Sequence, residues 1–98
     1  MIKVVKENNY IKLSGHANND SYGNDIVCAS VSSIVYTTVN GILNIDKEAI
    51  KFIDVKDFEI IINKEDFVTK TLIDNMLNLL EEIAIKYPKN IKIISKGE

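Results

Sequence analysis

The chain has 98 residues, 46% of them hydrophobic and 27% charged, with a formal net charge of −2. That length makes one domain, spanning 1–98, and the apolar content is too high for a disordered chain. Every cation is a lysine, so there is neither a basic field for a phosphate backbone nor a guanidinium fork for guanine.

One cysteine cannot close an internal disulfide. The opening run Met1-Ile-Lys-Val-Val-Lys6 is too charged for a secretory core. No run approaches the roughly 18 apolar residues of a membrane span. The expectation is a cytoplasmic protein with a reduced thiol, in direct contact with neither nucleic acid nor membrane.

In chain order, Ile2 to Lys6 and Tyr10 to Ser14 are β-branched and partly alternating, which predicts two strands. Asn8-Asn9 between them suits a tight hairpin, because asparagine tolerates left-handed backbone. Gly15 to Asn24 collects Gly, Asn, Ser and Asp without apolar periodicity and reads as a loop. From Asp25 the period changes. Val27, Val31, Ile34, Thr38 and Ile42 draw a helical stripe, with Asn24 or Asp25 as cap and Gly41 loosening the last turn. Its many β-branched residues mean that burial must hold it.

Ala49 to Ile53 and Phe58 to Ile62 predict a second strand pair, with Phe58, Ile60 and Ile62 on one face. Ile61, with Ile53 and Ile94, then points the other way, toward either a dimer surface or a second covered face of the sheet. Glu65-Asp66 opens a second helix whose apolar face is Val68, Leu72, Met76, Leu79, Leu80, Ile83 and Tyr87. Pro88 ends it, and Glu81-Glu82 forms its solvated side. Ile91 to Ser95 is a last strand. The fold class is α+β, in the order ββαββαβ, with a mixed sheet covered by two amphipathic helices.

One histidine and one cysteine stand twelve residues apart. His16 falls where a strand ends, and Cys28 in or just after the first turn of a helix. Unpaired N–H groups there favour a thiolate and could hold an oxyanion. Nucleophile, base and oxyanion donors in one small volume are what acyl transfer needs. The same residues fit a plainer account: a lone cysteine in an apolar helix is more often a small core residue, and a lone histidine in a loop is more often incidental. A zinc site would need Asp20 or Asp25 to complete an unusual ligand set, so no metal or cofactor is expected.

The stretch GHANNDSYGNDIVCASVSSIVYTTVNGI, Gly15 to Ile42, resembles the signature of the bacterial ribosomal-processing cysteine proteases, the Prp family. The fixed positions Gly15, His16, Ala17, Gly23, Asp25, Cys28, Ala29 and Ser32 are all matched. The resemblance implies a homodimeric peptidase. Its substrate would be a large-subunit ribosomal protein, from which it trims a hydrophobic N-terminal extension ending in paired phenylalanines. Cys28 is then the nucleophile and His16 its general base. Asp25 either caps the helix or orients His16, and Ser32 either bonds within the site or packs beneath the loop. Gly15 and Gly23 bracket a substrate-binding loop of Ala17, Asn18, Asn19, Asp20, Ser21 and Tyr22, expected to be a mobile lid over 17–24. Two other readings compete: a non-catalytic ribosome- or protein-binding module using the 15–25 loop, and a small RNA-binding α+β domain, which the acidic charge disfavours.

Overall fold

The computed structural model describes residues 1–15 and 22–97, with the backbone alone for 22–25. Its elements are β1 (Ile2–Glu7), β2 (Tyr10–Ser14), α1 (Tyr22–Ile45), β3 (Ile50–Asp54), β4 (Phe58–Ile62), α2 (Phe67–Lys86) and β5 (Ile91–Lys96). The ββαββαβ order and the mixed sheet expected from the sequence are therefore found. The strands form one sheet in the order β3-β4-β2-β1-β5.

Hairpins make the pairs β1/β2 and β3/β4 antiparallel, and β2/β4 is antiparallel as well. Among the described strands only β1/β5 is parallel. The reason is α2. Its 20 residues return the chain about 30 Å along the sheet, so β5 starts beside Ile2 and runs in the direction of β1. Ile2 N–H donates to the Asn90 carbonyl at 2.8 Å and fixes that start. At the β1–β2 turn Asn8 takes φ 54° while Asn9 does not turn positive, so the two-residue loop is not the type I′ turn, which needs both.

The pleat sorts the sheet into two faces. Ile2, Val4, Ile11, Leu13, Ile50, Phe58, Ile60 and Ile91 are buried under the helices. Val27, Val31, Val35, Val39 and Ile42 of α1 and Thr69, Ile73, Met76 and Leu80 of α2 complete the core. These helix stripes differ in phase from the expected ones. On α1, Ile34 and Thr38 are flanking and half-buried, and Val35 and Val39 hold the centre. On α2, Val68 and Leu79 are 43% and 36% exposed. Leu-rich and Val-rich helices offer several apolar arcs, and packing against the sheet selects one of them.

Other expectations change at the helix ends. α1 begins at Tyr22, so Tyr22, Gly23 and Asn24 belong to a helix and not to a loop, and neither Asn24 nor Asp25 caps it. The helix also continues through Gly41 to Ile45. Between Ile26 and Ile45 it is long and apolar enough to cross a membrane by length and composition, with a mean hydropathy of 1.6. That differs from the sequence reading, which counted apolar side chains one by one. Here the helix lays its valine stripe on the sheet and turns Ser33, Thr37, Asn40 and Asn44 outward. Asp66 does cap α2: its carboxylate accepts the Thr69 N–H at 2.9 Å, which lowers its pKa. The outer sheet face carries half-buried Val5, Tyr10, Ile53, Ile61 and Ile94 among Lys3, Lys12, Lys51 and Lys92.

Two glycines separate strain from propensity. Gly15 has φ +81°, and a Cβ there would collide with the Met1 carbonyl oxygen. Gly15→Ala should therefore destabilise the fold by at least about 1–3 kcal/mol in urea titration. Around Gly41 a Cβ would meet nothing within 4 Å. Gly41→Ala should stabilise by about 0.5–1 kcal/mol, since it only removes backbone entropy from a helix interior.

Candidate active site

Cys28 lies six residues past the start of α1 and one position beyond buried Val27. It is half-buried and packs at the margin of the core. Its place on the helix is set by the valine stripe. Each step of four residues rotates the helix by about 40°, so Cys28, Ser32 and Tyr36 climb one flank beside Val27, Val31 and Val35. Ser32 is half-buried and Tyr36 is 40% exposed.

Tyr36 shows which way this flank faces. Its ring packs edge-on against Phe52 of β3 at 6.0 Å and Phe58 of β4 at 5.3 Å. Phe52 and Phe58 are themselves 5.7 Å apart and tilted. The Tyr36 hydroxyl donates to the Asp54 carboxylate at the end of β3. The Cys28–Ser32–Tyr36 flank therefore overlooks β3, away from α2. Sequence reasoning did not single out Tyr36 or Asp54. The signal was present in the four-residue steps from Cys28, but an aromatic at that spacing reads as ordinary core.

The earlier helix start changes the electrostatics of the thiol. Orphan N–H groups belong to the first turn of a helix, and the dipole's influence fades beyond it. That turn is Tyr22 to Asp25, not the residues around Cys28. Asp25 and Ser32 lie three before and four after Cys28 on the same helix, so both flank it. His16, Ala17, Asn18, Asn19, Asp20 and Ser21 lie outside the described residues, and most of the expected lid falls there with them. Gly15 just before them lies close against the Met1 carbonyl.

Among the described residues no three His, Cys, Asp or Glu side chains gather as a metal site would require. A cavity lined by Lys6, Asn8, Asn9, Lys64 and Lys70 sits at the hairpin end of the sheet, opposite the start of α1. Two of its lysines are neutralised, Lys64 by Asp46 at 2.7 Å and Lys70 by Asp74 at 3.3 Å.

With this geometry in hand, the comparisons with known proteins agree. The family model for cysteine protease Prp matches residues 1–92. The ribosomal processing cysteine protease Prp of Staphylococcus aureus is 29% identical over 94 residues, covering 83% of this chain and 80% of that one. Two crystal structures of the S. aureus protease are similar along the whole fold. One, in complex with a substrate peptide, has a TM-score of 0.90 at 25% identity and covers 98% of this chain and 100% of that chain. The other, with a covalently linked product peptide, has a TM-score of 0.84 at 27% identity over the same shares. The protein is a cysteine protease. It belongs to the Prp family of such enzymes.

The Tyr36–Asp54 contact has a titration signature. The hydrogen bond to Asp54, with burial and the carboxylate's charge behind it, raises the Tyr36 pKa above its ordinary 10.0. A raised folded value means that this contribution to stability is complete below pH 10 and is lost as pH rises through the folded pKa. Tyr36→Phe should remove one late-ionising phenol from an ultraviolet titration and reduce the alkaline decline in stability. Tyr10, raised by its 2.6 Å bond to Glu59, should remain as the internal control.

Proposed function

We propose that this protease removes a hydrophobic N-terminal extension from a large-subunit ribosomal protein, with the Cys28 thiolate as nucleophile and His16 as general base. The observation that carries the reading is the placement of Cys28. The residue that completes the Gly15-His16-Ala17 and Gly23-x-Asp25-x-x-Cys28 motif is half-buried on an accessible helix flank rather than sealed in the core. That the S. aureus relative has been seen with a covalently linked product peptide supports acyl transfer as the chemistry.

His16 takes the thiol proton while Cys28 Sγ attacks the scissile carbonyl carbon. The same imidazole protonates the leaving amine, which departs as the mature N-terminus and leaves a thioester. Water, deprotonated by His16, then releases the extension and restores the thiol. Because Cys28 lies beyond the first turn of α1, the helix end contributes little to its ionisation, and that task falls to His16. Asp25 is inside the helix, which removes the capping role and favours the other one, orienting His16. Ser32, a turn beyond Cys28 on the same flank, either bonds within the site or packs beneath the loop. We expect the enzyme to act as a cytoplasmic homodimer without cofactor, binding neither nucleic acid nor membrane directly.

Cys28→Ala should abolish shortening of the organism's own ribosomal protein, read by mass spectrometry, and cost at most about 1–2 kcal/mol in stability. His16→Ala should lower turnover by at least about a hundredfold, within the 10²–10⁴ typical of general-base loss. Peptide binding to a Cys28→Ala background should change far less. Wild-type cleavage by Cys28→Ala would end this assignment.

A further inference from the structure

The ladder of the β3–β4 hairpin shows which backbone groups β3 leaves outward. Asn63 N–H donates to the Ala49 carbonyl at 2.8 Å, one step below the Ile50–Ile62 pair. Ile62 N–H donates the other way, to the Asn9 carbonyl of the neighbouring hairpin, also at 2.8 Å. In an antiparallel ladder bonded and non-bonded pairs alternate. Even-numbered residues of β4 therefore bond β2, and odd-numbered residues bond β3 through Lys51–Ile61 and Ile53–Glu59. Ile50, Phe52 and Asp54 then aim their N–H and C=O groups away from the sheet.

β3 is the terminal strand of the sheet. Its lower end is closed, since Ile50 is 3% exposed, whereas Phe52 is half-buried and Asp54 exposed. The usable edge is thus short, and it ends on the side where α1 carries Cys28. The side chains of Phe52 and Asp54 lie on the face where Tyr36 packs. A strand added here would place the residue opposite Phe52 on that same face, against the exposed part of the Tyr36 ring.

We propose that the substrate peptide docks as an added strand on the edge of β3, held by the outward N–H and C=O groups of Phe52 and Asp54, with an apolar or aromatic side chain on the shelf of Tyr36 and Phe52. This rests on the protease reading of Cys28 and specifies how that site holds its peptide. The edge is continuous with the catalytic flank. From Tyr36 to Cys28 the helix climbs about 12 Å, and an extended chain covers that in roughly three to four residues at ~3.3 Å each. The residue on the shelf therefore stands three to four positions from the scissile bond. Main-chain pairing supplies affinity with little demand on sequence, and the shelf supplies the preference for an apolar residue. Alternate residues of the peptide face the outer side of the sheet near Lys51 and Ile53, where polar side chains fit.

The test is residue-resolved amide exchange on Cys28→Ala, using a synthetic peptide that spans the site cut by the wild-type enzyme. In the free protein Phe52 and Asp54 amides should exchange faster than those of Lys51 and Ile53, which bond β4. Saturating peptide should slow Phe52 and Asp54 at least tenfold and leave Lys51 and Ile53 nearly unchanged. With the wild-type enzyme, backbone N-methylation of the peptide at the paired positions should raise KM at least tenfold with little change in kcat. If peptide binds and is cleaved while Phe52 and Asp54 exchange is unaltered, the docking mode is overturned and the protease reading stands. If the two amides are already slow without peptide and quicken on dilution, a second copy holds the edge and the proposal is equally overturned. Absence of both cleavage and binding would instead remove the protease reading and this proposal together.

Discussion

The burial of one valine-rich stripe of α1 on the inner face of the sheet is the constraint from which the rest follows. Valine and isoleucine are poor helix formers because χ1 is restricted against the preceding turn. A helix with Val27, Val31, Val35, Val39 and Ile42 along one side is stable chiefly because all five are sealed against the sheet. Each such side chain contributes about 1.5–3 kcal/mol on burial, far more than the few tenths lost to propensity. The rotation of α1 is thereby fixed, and Cys28, next to Val27, has no freedom to turn into the core or out to solvent. The position of Cys28 is a by-product of packing.

The same stripe divides the surface into regions of different character. On the Tyr36 side α1 meets β3, and a ring cluster with Phe52 and Phe58 seals the corner between helix and sheet. On the other side α1 meets α2. The outer face of the sheet has no described element over it. There half-buried Val5, Ile61 and Ile94 alternate with lysines and with Glu7 and Glu59. Lys12 reaches Asp57 at 3.6 Å. Such a face is amphipathic rather than apolar, which lets a small domain leave one side of its sheet uncovered by its own helices.

Cleavage of a peptide bond needs a nucleophile whose position does not drift and a neighbourhood that admits an extended chain. The first is met by the packing of α1, while the left-handed φ of Gly15 and its close approach to Met1 set where the chain leaves β2 just before His16. The receptive part is the short edge of β3 beside the same flank. In the proposed docking mode a helix side carrying Cys28, Ser32 and Tyr36 above a strand edge receives the peptide chiefly through its backbone.

The element order, the α+β class, the opening of α2 at Glu65-Asp66 and the Gly-His-Ala and Asp-x-x-Cys spacing were legible in the sequence. They depend on local patterns of period two and 3.6, on turn chemistry, and on residue types that few other contexts require together. What escaped the sequence was set by long-range contacts. Gly23 and Asn24 are weak helix formers, so the segment read as loop until the extended helix placed them in its first turn. The choice of Val35 and Val39 over Ile34 and Thr38 depended on the shape of the sheet, since both arcs are apolar. Only the tertiary structure decided that β5 runs parallel to β1, that β3 is left at an edge, and that Tyr36 of α1 meets Asp54 of β3. No local sequence rule holds that information, because each is a relation between segments brought together only when the two helices close over the sheet.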